Sequence, residues 1–147
     1  MFQTKRSLQD KRKNRNNNKQ AYLYLNLINM EIGETIHFNS RNEFREWLKK
    51  NHNKKKELWL LFYKKHLGKG ILYTDAVEEA LCYGWIDGIL KSFGKEKHIV
   101  RFSPRRQKSI WSPHNIVRVK KMIKKKKMTK KGLVKVPKNL LGNINQK

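Results

Sequence analysis

The sequence predicts a small single α+β domain, about three helices packed on a short two- or three-stranded sheet, with basic flexible ends. Three observations carry this expectation. Two short runs rich in β-branched and aromatic residues, Leu58–Tyr63 and residues 98–102, alternate with three stretches whose apolar residues recur at helical spacing. The order is helix, strand, helix, strand, helix, as in a small α+β domain. All of these signals fall within residues 32–133, and a chain of 147 residues is ordinarily one domain.

The elements follow in order. Thr35, Ile36, His37 and Phe38 read as a short extended lead-in. Ser40 followed three residues later by Glu43 is a capping box, which satisfies backbone N–H groups left free at a helix start. Phe44, Trp47 and Leu48 then form one apolar stripe on a helix ending near Asn51. Leu58–Tyr63 is too short for a helix and rich in aromatics, so it reads as a buried strand.

Gly68 and Gly70 mark a loop, after which Thr74 is placed to cap a second helix with Asp75 and Glu78 near its positive end. Val77, Ala80, Leu81, Gly84 and Trp85 make its buried stripe. Gly84 costs up to about 1 kcal/mol there relative to alanine, so close approach of another backbone is the expected compensation. Gly88 reads as the stop. Ile99, Val100 and Phe102 define the second strand, ended by Ser103-Pro104. Ser112-Pro113 starts the last helix, with Ile116, Val119 and Ile123 buried and Lys120, Lys121, Lys124 and Lys125 mostly outside. Gly132 ends the region, and residues 134–147 read as a flexible tail.

Charge is unevenly placed. Thirty-six Lys plus Arg against 11 Asp plus Glu give +25, but residues 30–117 carry 17 basic and 10 acidic side chains, a nearly ordinary surface. Residues 1–29 carry 7 and 1, and residues 118–147 carry 12 and none. Residues 1–29 read as a basic flexible tail or as extra sequence preceding a start at Met30. They imitate a secretory signal poorly, because Asn26 and Asn29 interrupt the apolar stretch and no small-residue cleavage site follows. No run of 18 apolar residues exists, so no transmembrane helix is expected. The expected location is cytoplasmic, with the periplasm or envelope as the alternative.

Cys82 is alone, which excludes an internal disulfide, and its place beside the stripe makes it a small buried hydrophobe. The five histidines show no ligand spacing, so no metal is expected, and the absence of phosphate-loop or dinucleotide motifs leaves no expected cofactor.

The most informative stretch is Ala80-Leu81-Cys82-Tyr83-Gly84-Trp85-Ile86-Asp87, followed by Arg101-Phe102-Ser103-Pro104-Arg105 and then Ser109-Ile110-Trp111-Ser112-Pro113-His114-Asn115. Together these resemble the YdeI/OmpD-associated family, also described as bacteriocin-protection proteins, over residues 38–133. The resemblance implies a role in stress or antimicrobial-peptide resistance and an envelope association. It implies no established reaction and no agreed catalytic residues. Family members often continue with another helical stretch, whereas this chain soon ends.

The residues themselves suggest an anion site. Arg101, Arg105 and Arg106 precede the free N–H groups of the last helix, where guanidinium forks, amide donors and the helix dipole all favour phosphate, sulfate or carboxylate. Ser109, Ser112 and Asn115 add neutral hydrogen bonds, Trp85 or Trp111 a flat wall, and Asp87, near the end of the second helix, closes the pocket. The structural alternative is that Asp87 pairs with an arginine or with turn amides, and that Ser112 only caps. Binding of an anionic small molecule is expected rather than turnover, because no nucleophile and base can be assembled. A small enzyme using Asp87 and the arginines is one alternative. Another is a nonspecific nucleic-acid binder, or a protein held at an anionic membrane surface, acting through the lysine-rich run 120–127.

Overall fold

A computed structural model describes residues 32–142; the expected tail over residues 1–29 and the last five residues lie outside the described residues. Four strands form one sheet: β1 (Thr35–Ile36), β2 (Leu58–Tyr63), β3 (Trp85–Ser92) and β4 (Lys97–Pro104), in the order β1-β2-β4-β3. Only β1 and β2 run parallel; the other pairs are antiparallel. Helix α1 (Arg41–Asn51) joins β1 to β2, and α2 (Tyr73–Cys82) joins β2 to β3. After the sheet come α3 (Pro113–Lys124), α4 (Lys130–Val134) and α5 (Lys138–Leu141).

The α+β class stands, with more of both element types than the pattern suggests. Ser40 caps α1 as expected: its Oγ accepts from Glu43 N–H at 3.3 Å, while the Glu43 carboxylate reaches back to Asn39 N–H at 2.7 Å. Ser112 caps α3 in the same way, accepting from Asn115 N–H at 3.2 Å, with Pro113 at the first helical position. Phe44 and Leu48 of α1, Val77, Ala80 and Leu81 of α2, and Val119 and Met122 of α3 cover one face of the sheet. Leu58, Leu60, Phe62, Val100, Phe102 and Trp85 project into the same core. Alternation along the strands turns Trp59, Leu61, Ile99 and Arg101 to the opposite face.

The second helix is shorter than its stripe predicts. It ends at Cys82, Gly84 turns at φ +73°, and Trp85, Asp87 and Gly88 belong to a strand. Helical spacing and core-facing positions coincide across this turn, which is why one apolar series runs through two kinds of element. The close approach expected at Gly84 does exist: a Cβ there would lie 2.8 Å from the Lys131 carbonyl oxygen. Thr74 does not cap α2; Leu72 occupies that position and provides no side-chain acceptor. Gly88 lies inside β3, where a register shift falls between Asp87 and Leu90.

Gly132, expected as a terminator, sits within α4. A Cβ on it would lie 2.3 Å from the Cys82 carbonyl oxygen, so only glycine allows α4 to rest on the end of α2. Thr129 fixes this contact, donating to the same carbonyl from its N–H at 3.0 Å and its hydroxyl at 2.5 Å. Beyond it, Val136 is buried and α5 adds Leu140 and Leu141 to the core margin. The stretch expected as a tail from residue 134 is therefore part of the fold through Leu141. Its buried residues are too widely spaced to read as a periodic stripe.

Candidate functional site

A cavity of about 440 Å³ opens where β2 ends and α2 begins. Phe62 and Tyr63 enter from β2, His98 from β4, and Ile71, Leu72, Tyr73 and Thr74 from the start of α2. Lys64, Lys65 and Lys69 line the connecting loop. The Phe62 and His98 rings stack at 5.4 Å and 17°, forming a flat wall. Burial holds the His98 imidazole below its ordinary pKa, so that wall is neutral near pH 7. Lys69 and Lys97 each place an ammonium 5.5 Å from the Tyr63 ring centroid. The floor is apolar and the rim cationic, beside a helix N-terminus without a side-chain cap. Volume and lining suit a small ligand with a flat body and an anionic end.

Tyr73 links this cavity to a second group of residues. Its hydroxyl donates to Asp87 Oδ2. Burial, reinforced by the Asp87 charge, pushes the phenol far above its ordinary pKa, and Arg118 opposes the shift only weakly. Tyr73 is thus a permanent neutral donor. Among the described residues, the hydrogen bond that Asp87 accepts comes from a tyrosine at the far end of α2. Arg105 is close enough for the Asp87 charge to act on it, although burial prevails and lowers the guanidinium's pKa.

Arg105 is 4% exposed and only partly satisfied. Its guanidinium carbon lies 3.9 Å from the Trp111 ring centroid, and Nη2 donates to the Ile110 carbonyl at 2.8 Å. Its Nε is buried with no hydrogen-bond partner. Arg118 donates to Asn115 Oδ1 at 3.0 Å and completes the group from α3.

The structure therefore brings together part of the expected set. Asp87, Arg105 and Trp111 belong to one neighbourhood, and Asn115 connects to it only through Arg118, whose charge acts on Tyr73. Trp85 does not wall a pocket: it is 1% exposed, stands edge-on to Trp47 at 5.6 Å, and its indole N–H donates to the His52 carbonyl at 3.1 Å. Arg101 faces the other side of the sheet. It pairs across the ladder with Trp59, whereas Asp87 pairs with Phe102, and its Nε meets Glu57 at 2.5 Å. Arg106 is exposed, and Ser109 donates its hydroxyl to the Arg106 carbonyl at 2.9 Å in a local turn. Ser112 serves as the helix cap. One residue's difference in strand parity separates Arg101 from the site.

Tyr73, Arg118 and the lysine loop are additions to the sequence reading. Three lysines around two glycines directly before a helix start are a legible signal for an anion cradle. Tyr73 and Arg118 carry no such signal, since only the tertiary fold places Tyr73 beside Asp87 and brings the Arg118 charge to bear on Tyr73.

A third cluster is saturated internally. Glu79 is fully buried and accepts from Arg41 Nε and Arg45 Nη1, both at 2.8 Å. Glu78 accepts from Arg41 Nη2 at 2.9 Å and Lys121 Nζ at 2.7 Å, and Asp75 meets Arg41 Nη1 at 3.1 Å. Burial raises the Glu78 carboxyl's pKa, but the bonds from Lys121 and Arg41 outweigh it and hold the group below its ordinary value. Cys82 lies at the margin of this cluster, and burial pushes its thiol up to about 11, which keeps it protonated near neutral pH. Among the described residues no group of His, Cys, Asp and Glu is placed to hold a metal ion, and no helix is long and apolar enough to cross a membrane.

Residues 36–135 match a family described as a domain of unknown function (DUF8412), and the chain belongs to that family. No curated protein and no solved structure matches the chain.

Proposed function

We propose that this domain binds a small anionic ligand, phosphate-like or carboxylate, carried on a flat apolar body. The observation that carries the reading is the cavity itself: stacked Phe62 and His98 form its wall, and Lys64, Lys65 and Lys69 surround the uncapped start of α2. Its apolar lining favours a planar group, and its rim favours negative charge. The proposal keeps the anionic ligand expected from sequence but moves its charged end from the arginines before α3 to the lysine loop before α2. Asp87 then acts behind Tyr73, orienting its hydroxyl, with the Arg105 guanidinium behind Asp87. Likeness to the YdeI/OmpD-associated family supports assigning such binding to stress or antimicrobial-peptide resistance.

Thermal unfolding in the presence of inorganic phosphate, pyrophosphate and phenyl phosphate tests this. A ligand at 100 times its Kd stabilises the native state by about 2.7 kcal/mol. Phenyl phosphate is expected to raise the midpoint more than inorganic phosphate at equal concentration. The rise should vanish in Lys65→Ala with Lys69→Ala and survive in Arg106→Ala. Stabilisation that persists without the two lysines, or is lost with Arg106 alone, would return the site to the head of α3.

A further inference from the structure

The lysine run 120–127 is not one uniform patch. Lys121 is drawn onto Glu78 at 2.7 Å, and Lys127 approaches Glu79 at 3.9 Å. Lys120, Lys124, Lys125 and Lys126, with Lys130 and Lys131 at the start of α4, are exposed and form no ion pair among the described residues. No acidic residue occurs anywhere after Glu96. Helix α2, on which α3 and α4 pack, has Asp75, Glu78 and Glu79 all engaged by Arg41, Arg45 and Lys121. Among the described residues, the exposed ammonium groups therefore have no ion-pair partner.

Backbone geometry adds an independent observation. Lys126 has φ +58°, the only described residue other than glycine in the left-handed region. It sits where α3 closes: Lys127 N–H bonds the Met122 carbonyl at 3.0 Å, and Lys126 N–H bonds the Ile123 carbonyl at 2.9 Å. This is a Schellman closure, whose left-handed position strongly favours glycine. Here an exposed lysine occupies it at a conformational cost.

We propose that the exposed lysines of α3, its closing turn and the start of α4 form a docking surface for the phosphate backbone of duplex nucleic acid. Point-charge ammonium groups on an ordered helix suit sequence-independent phosphate contact. Single-stranded recognition needs aromatic platforms, and the tryptophan of this region, Trp111, is covered by Arg105. A lipid surface needs a continuous free apolar stripe between the cations, whereas Val119 and Met122 of α3 are buried in the core and the exposed apolar residues, Val117 on α3 and Leu133 and Val134 on α4, are split between two helices.

Fluorescence anisotropy of a labelled mixed-sequence DNA duplex with the full chain, titrated from low to moderate salt, tests the surface. Removing four contacts in Lys120→Ala/Lys124→Ala/Lys125→Ala/Lys130→Ala should lower the slope of log K against log salt by about 3.6 and weaken binding at least about tenfold. A matched variant, Lys49→Ala/Lys50→Ala/Lys54→Ala/Lys56→Ala, removes the same charge elsewhere and should keep nearly the original slope. Lys126→Gly should raise the unfolding midpoint while lowering affinity. Equal losses in the two quadruple variants would reduce the effect to net charge and overturn the proposal, as would absence of duplex binding. So would retention on phosphatidylglycerol vesicles that depends on these lysines when duplex binding does not.

Discussion

The two ends of α2 use charge in opposite ways. Its middle and C-terminal part holds Glu78 and Glu79, both buried and both satisfied by arginines and lysines from α1 and the α3 region. Its N-terminal end has no side-chain cap and faces a cavity rimmed by lysines with no carboxylate in the lining. The two ends belong to a single helix of 10 residues. Where charge is internally matched it ties three helices together, and where it is left over it is available to a ligand. Abundance of lysine therefore says little until its partners are counted.

The sharpest way to break this contrast is to remove charge from each end. Glu79→Ala leaves Arg41 and Arg45 without their shared carboxylate and should destabilise the fold by about 3–5 kcal/mol, the usual result of removing one partner from a buried pair. Lys65→Ala with Lys69→Ala should change stability by less than about 0.5 kcal/mol, as for other exposed positions. Urea unfolding of the three proteins gives both values. Equal effects at the two ends would abolish the distinction.

Next in size is a steric test at the C-terminal end. Gly132→Ala gains about 1 kcal/mol of intrinsic helix propensity. Its new Cβ would nevertheless meet backbone, not a yielding side chain, at 2.3 Å. A net loss of about 2–3 kcal/mol is expected from displacing α4, read as a lower urea midpoint.

The third test is pH. The Glu78 carboxyl titrates below its ordinary value in the folded state, so the unfolded chain binds its proton first as pH falls. Its contribution is complete above the unfolded value of about 4.5 and is lost as pH drops through the lower folded value. Urea midpoints measured from pH 6 down to 3 should decline, and Lys121→Met should make that decline shallower. An unchanged slope in the variant would remove Lys121 from the network.

Legibility in the sequence followed the range of the interaction. Ser40 with Glu43 and Ser112 with Pro113 act on their own neighbours, and both helix starts were readable. Leu58–Tyr63 and the strand around residues 98–102 followed from aromatic and β-branched runs. The strand at Trp85 did not, because Gly84 changes backbone hand without changing which residues face the core. The sequence reading grouped Asp87 with Arg101, Arg105 and Arg106 around the start of the last helix, but Arg101 was lost to the opposite sheet face by strand alternation, a property of register that local pattern does not contain. The Arg41–Glu79 contact spans 38 residues of chain and has no local signature at all.

The contact of Gly132 with the end of α2 also constrains chain length. Lys127 closes α3, Thr129 grips the Cys82 carbonyl, and the glycine follows three residues later with no room for an added atom. One inserted residue there would shift every later side chain by a helical step and bring a Cβ onto that carbonyl. Gly94, with open space around it in the turn between β3 and β4, has no such restriction. Natural insertions and deletions in related chains should therefore gather at that hairpin tip and leave the spacing between Lys127 and Gly132 invariant.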